Sequence, residues 1–226
     1  MITRNKFSDM VTFHVGQAKT PFKLPEWKLI ECAKHVAAHL EDSSTSRTID
    51  LAHHTATAFK LFYHWFHDPN RPISVSETTT AANWSRNVVD ALFLGCQLGC
   101  EGFVQRMLKF CVECSDHYGD LPKSSSIARA FESKCGNGIC MLVVDLAVHE
   151  AHHTWLPNTQ EQLKMRSGGE QFMRELNAKM WELRHKISNK ANAPYNSDFA
   201  TYHVDGFKHE DMFGVIEIED DDLFVA

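Results

Sequence analysis

The 226-residue chain predicts an α+β fold: a small sheet with a cluster of helices, followed by a helical extension. Three observations carry the prediction. Apolar and polar residues alternate with period two from Asp9 into the segment ending at Leu24. From Pro25 onwards, apolar residues recur mostly at helical spacing. Between Ser126 and Lys190 every periodic stretch is helical.

The first strand is Met10 to Val15, where Val11, Phe13 and Val15 alternate with Met10, Thr12 and His14. Gly16 to Lys19 turns the chain. Phe22 and Leu24 alternate in a second short strand, so the pair reads as a hairpin. Pro25-Glu26 then opens a helix, since proline suits a first helical position and a carboxylate suits the positive end of the helix dipole. Trp27, Leu29, Ile30 and Cys32 give that helix its apolar residues. A further helix, Lys34 to Glu41, carries Val36, Ala37 and Leu40, and Asp42-Ser43-Ser44-Thr45-Ser46 ends it. Ile49 and Leu51 mark a third strand. Thr55 caps a helix on which Phe59, Phe62 and Phe66 recur beside Leu61 and Trp65.

The loop from Asp68 to Ala82 is rich in Ser, Thr and Pro and has no periodicity. Helix Trp84 to Cys96 buries Val88, Val89, Leu92 and Phe93. After Gly95, Gly99 and Gly102, a helix places Phe103, Met107, Phe110, Cys111 and Cys114 on one face. His117 to Ser126 is a second break. Helices are then expected over Ile127 to Lys134, Ile139 to His153, Thr159 to Arg166 and Glu170 to Lys190. Ile139 to His153 is apolar nearly all round in its first half and should be buried. Thr159 and Gln162 stand at capping-box spacing. Ser167-Gly168-Gly169 reads as a break. Glu170 to Lys190 carries the stripe Phe172, Leu176, Met180, Leu183 and Ile187, expected to pack within the chain. The organisation is thus 8–117, a sheet-and-helix domain; 118–190, a helical extension; and 191–226, an acidic tail.

The phrases SDMVTFHVG, PFKLPEWKL, RTIDL and TAFKLFYHWFHDP, in that order, resemble the BTB/POZ family, and its fungal branch in particular. Asn87 to Leu94, with Phe103 to Cys114 behind it, is similar to the next two helices of that family. The resemblance spans Ser8 to about His117. Leu24-Pro25-Glu26 replaces the family's usual histidine-lysine after the second strand. Ala33 and Val36 replace its usual serine and aromatic pair. The resemblance implies a protein-interaction module: a self-associating adaptor or scaffold. Some relatives bind cullin scaffolds of ubiquitin ligases and present a substrate, and others are transcription-linked. No DNA-binding finger or basic region is visible here, so a chromatin role would be indirect.

Bulk properties narrow the function classes. The net charge of −6 argues against general attraction to nucleic acid or to acidic membranes. Ile139 to Val148 is the longest apolar run, too short to span a bilayer and interrupted by Asp145. Met1 to Asp9 is polar and shows no signal-peptide pattern. Seven cysteines, mostly inside helical apolar patterns, suit a reducing compartment. A cytoplasmic and/or nuclear location is the expectation.

Three constellations bear on chemistry. His149-Glu150-Ala151-His152-His153 satisfies H-E-x-x-H, in which two histidines one helical turn apart bind zinc and the glutamate acts as general base. Glu170 or Glu175 would supply a third ligand. Fourteen histidines raise the rate of chance matches, and the zinc-metallopeptidase reading ranks below the interaction module. Cys96, Cys100, Cys111 and Cys114 have the spacing of a zinc site, but three of them fall where helices need apolar side chains, and packing is the favoured reading. The pairs His35/His39, His53/His54 and His64/His67 lack a carboxylate-rich shell. The expectation is therefore no enzyme, no metal and no cofactor.

Three interaction sites are expected instead. Trp27, Leu29 and Ile30 on the helix Glu26 to Cys32 form a self-association surface, the region at the dimer interface in relatives of the BTB type. Val75 and Glu77 form the apolar-x-acidic triplet that contacts cullins in some relatives. Val215, Ile216 and Ile218, followed by Glu219 to Asp222, resemble a SUMO-interacting motif, which binds by adding a strand to a sheet edge.

Overall fold

The computed structural model describes residues 9–42, 47–75, 79–133, 137–150 and 155–183. The expected β1 (Met10–Val15), β2 (Thr20–Pro25), α1 (Glu26–Cys32), α2 (Lys34–Asp42), β3 (Thr48–Leu51) and α3 (Ala56–His67) follow in order. Then come α4 (Trp84–Leu98), α5 (Glu101–Tyr118), α6 (Ser124–Glu132), α7 (Asn137–Glu150), α8 (Trp155–Lys164) and α9 (Ser167–Leu183).

The sheet has the order β2-β1-β3. β1 and β2 are antiparallel, with Phe13 opposite Phe22 and Met10 opposite Pro25. β1 and β3 are parallel, with Phe13 opposite Ile49 and Val15 opposite Leu51. The parallel pairing requires a crossover, and β2, α1 and α2 supply it. Val11, Phe13 and Val15 are buried along one face of β1. Against that face packs α3. Thr55 Oγ1 accepts the Ala58 N–H at 3.1 Å and so caps α3. The α3 rings then form a continuous chain of tilted and edge-to-face contacts. Phe59 lies 5.1 Å from Phe13 and 5.6 Å from Phe62, and Phe62 lies 5.2 Å from Phe103 on α5.

α4 is buried over most of its length and pairs with α5, and α3 and α6 also pack on it. A single apolar cluster runs from Val11 in β1 to Leu176 in α9. The helices beyond α5 therefore extend the same core.

Several boundaries depart from the sequence expectation. α6 begins at Ser124, three residues earlier than the periodicity suggests. α8 begins at Trp155, so Thr159 lies inside the helix and does not cap it. Pro157 falls in the first turn, where its missing N–H costs no hydrogen bond. α9 begins at Ser167, so the Ser-Gly-Gly sequence starts a helix where a break was expected. Glu132 at the end of α6 explains that start: its Oε1 accepts from Ser167 Oγ at 2.6 Å and from the Gly168 N–H at 3.1 Å. A carboxylate from a neighbouring helix thus supplies the cap. On α9, Phe172 and Leu176 are buried, but Met180 is 48% exposed. The buried stripe ends sooner than its spacing implies, and Ile187 lies outside the described residues.

Candidate interaction surface

α1 is set by both of its ends. Pro25 stands in extended backbone at the N-cap position, and the Glu26 N–H donates to Asp9 O at 3.0 Å. Glu26 Oε2 pairs with Arg47 Nε at 2.7 Å, fixing the first turn against the segment entering β3. At the other end, the Ala33 N–H donates to Leu29 O at 2.8 Å.

Between these ends the helix divides its apolar residues. Leu29 is 0% exposed and belongs to the core, with Ala33, Val36 and Leu40 of the following turns. Leu29 therefore does not belong to a surface, contrary to the sequence expectation, because a short helix beside a sheet must turn at least one large side chain inward. Trp27 and Ile30 are 36% and 46% exposed. Three residues apart, they share one side of the helix. Met10, 42% exposed, lies opposite Pro25 at the end of the sheet from which α1 departs. Sequence reading missed Met10; its outward place in the alternation with Val11 was the available signal. Lys28, beside Trp27, turns the other way, with its ammonium 4.8 Å from the centre of the Phe66 ring.

A second arrangement is a buried polar knot. Asp90, in the middle of apolar α4, accepts from the Thr55 N–H at 2.8 Å and from Thr55 Oγ1 at 2.7 Å. His54 Nδ1 lies 3.2 Å and Arg129 Nη2 3.1 Å from its other oxygen. His54 Nε2 lies 2.5 Å from Gln97 Oε1. Burial pushes the Asp90 carboxyl up. The hydrogen bond and charge of His54, then Arg129 and the Thr55 N–H, outweigh burial and hold it at about 2. An ionised carboxylate only accepts, so the contact at His54 Nδ1 is an N–H donated to Asp90. The knot joins the β3–α3 junction, α4 and α6. A carboxylate inside an apolar helical run was its sequence signal, since such a group must be paired to be buried.

The remaining candidates separate in space. Cys96, Cys100, Cys111 and Cys114 are all buried in the core. His35 Nδ1 lies 3.1 Å from the Gln97 carbonyl oxygen, and the His67 ring packs 4.4 Å from Tyr63. In the H-E-x-x-H stretch, α7 carries His149 and Glu150 at its last positions. Glu150 Oε2 accepts from Ser115 Oγ at 3.1 Å, which turns it toward α5. His153 lies outside the described residues. Glu170 and Glu175 are both exposed, and Glu175 lines the groove beside α7 and α9. Among the described residues, no group of three or more His, Cys, Asp or Glu is placed to hold a metal ion. Val75 is half-buried and packs against the core, while Glu77 lies outside the described residues. Val215, Ile216 and Ile218 also lie outside them.

The chain is an α+β protein, with a three-stranded mixed sheet and a largely helical remainder. Among the described residues, no helix is long and apolar enough to cross a membrane. No family model matches the chain, and no curated protein matches it significantly.

Proposed function

We propose that this chain is a BTB/POZ-type interaction module that self-associates through α1 and works as an adaptor or scaffold. The observation that carries the reading is the division of α1: Leu29 anchors the helix in the core while Trp27 and Ile30 stand half in solvent on one side of it. Tryptophan is enriched among residues that dominate binding energy at interfaces, and Trp27 keeps 36% of its surface in solvent. Met10 extends the apolar material at that end of the sheet. The order of strands and helices from β1 to α5 supports the BTB/POZ assignment made from the phrases in the sequence. An isologous two-fold contact is the simplest assembly for such a patch, because the same residues then face each other.

Light scattering of the purified full chain tests the reading. A dimer at roughly 10–50 micromolar is expected, the range in which a small interface of this kind is populated. Replacement of both Trp27 and Ile30 by glutamate should give a folded monomer. A wild-type chain that stays monomeric throughout that range overturns the proposal.

A further inference from the structure

A groove of about 350 Å³ opens where the end of α6 meets α7 and α9. Phe131, Val144 and Met141 make its apolar wall. Phe131 and Val144 are buried, while Met141 stands exposed at the rim. A helix that is apolar nearly all round needs cover on every side, and α7 is such a helix. The exposure of Met141 marks the side of α7 that α6 and α9 do not cover.

The opposite wall is one face of α9, on which Gln171, Glu175, Ala178, Lys179 and Glu182 recur at helical spacing. At 1.5 Å of rise per residue, that face runs for about 16 Å. Asp145 of α7 is buried, and its Oδ1 lies 3.3 Å from Lys179 Nζ. A carboxylate must be paired to be buried in an apolar helix, and Lys179 supplies that charge. Glu175 and Glu182, one turn to either side of Lys179, are exposed. Among the described residues that line the groove, three are carboxylates and Lys179 alone is cationic. An excess of negative charge therefore lies along an uncovered apolar wall.

We infer that this groove docks a basic amphipathic helix of a partner protein. Apolar side chains of such a helix at i, i+4 and i+7 span about 10 Å and fit within the length of the α9 face. They pack on Phe131, Val144 and Met141, and the unbranched side chain of methionine adapts to their shape. Lysine or arginine on the flanks of the helix meets Glu175 and Glu182, which fixes its orientation and excludes acidic helices. The long, open-sided form of the groove suits a segment of chain better than a compact ligand. Two other occupants match it poorly in charge. The chain's own segment Glu217 to Asp222 is acidic, and a second copy brings a net charge of −6. The groove is separate from the α1 surface, so one chain can hold its partner helix while it self-associates.

The experiment labels the methionine methyl groups of the full chain with carbon-13 and follows them by NMR, with the Met141 signal assigned from Met141→Leu. The probe is a synthetic amphipathic-helix peptide of leucine and lysine. Its addition should shift the Met141 methyl and leave Met10 and Met165 in place, with saturation on the order of 10 micromolar. The same peptide with glutamate for lysine should not shift it. Glu175→Gln with Glu182→Gln should weaken the lysine peptide about tenfold, whereas Asp116→Asn with Glu161→Gln, at exposed carboxylates elsewhere, should not. The proposal is overturned if Met141 does not move, if the glutamate peptide moves it equally, or if the two carboxylate pairs act alike. A shift at Met10 in place of Met141 would assign the peptide to the α1 surface and overturn it too. So would a Met141 shift on dilution of the protein alone, which would mean a second copy, or on addition of a peptide of residues 191–226, which would mean the chain's own tail.

Discussion

Asp90 on α4 and Arg129 on α6 stand 3.1 Å apart, carboxylate to guanidinium, across 39 residues of sequence. The carboxylate is buried and the arginine reaches it from the margin of the core, with its guanidinium 4.8 Å from the centre of the Phe93 ring. This contact fastens the helices beyond α5 to the half of the molecule that contains the sheet.

Asp90→Ala should therefore destabilise far more than a surface change. It removes the acceptor for the Thr55 N–H and hydroxyl, for His54 and for Arg129, leaving donors buried or half-buried without it. Breaking a buried charged network by removing one member costs about 3–5 kcal/mol. Urea unfolding at neutral pH measures the loss. A change no greater than about 0.5 kcal/mol, the size of an ordinary surface substitution, would show that the knot contributes little.

The same residue makes stability depend on pH. The Asp90 carboxyl is held at about 2, below its ordinary 3.8. A depressed carboxyl stabilises the fold above the unfolded pKa, and that contribution is lost as pH falls through the folded value. The contribution is about 2 kcal/mol, lost between roughly pH 5 and pH 2. Thermal unfolding of wild type and Asp90→Asn across this range checks it. The gap between the two should close toward low pH; a constant gap would contradict the assignment.

Local pattern was legible where its consequence is local. The alternation of Val11, Phe13 and Val15 gave the buried face of β1, and Thr55 and the phenylalanine spacing gave the start and the inner face of α3. What spacing does not encode is which distant element supplies a partner. The parallel pairing of β1 with β3, the link from Asp90 to Arg129 and the cap that Glu132 gives α9 are all contacts between residues more than 30 apart. The candidate surface was half legible for the same reason. Trp27, Leu29 and Ile30 look alike in a seven-residue helix, and only the packing of α1 distinguishes the one that points inward.

Close packing of α9 on α6 depends on Gly168. A Cβ there would lie 2.2 Å from the carbonyl oxygen of Ala128, a backbone atom that can give way only if α6 moves. Gly168→Ala should cost about 3 kcal/mol or more, the upper end of overpacking penalties. It should also loosen the cap that Glu132 gives to the first turn of α9. Denaturant unfolding with hydrogen exchange over α9 measures both effects. Unchanged stability would mean that the two helices do not approach this closely.

The two faces of α1 should respond oppositely to substitution, which separates folding from association. Leu29 is fully buried, so Leu29→Ala leaves a cavity and should cost about 2–5 kcal/mol by urea unfolding. Ile30 is 46% exposed, so Ile30→Ala should change the stability of the monomer by less than about 1 kcal/mol. If the patch is an interface, the same Ile30→Ala change should weaken the dimer by roughly tenfold, since truncating an interface anchor costs about 1–2 kcal/mol of binding. Sedimentation equilibrium of the two variants under native conditions gives the association constants, and unfolding of dilute samples gives the stabilities. An Ile30→Ala protein that associates as wild type does, yet unfolds as readily as Leu29→Ala, would show that Ile30 belongs to the core and would remove the basis for placing the contact on α1.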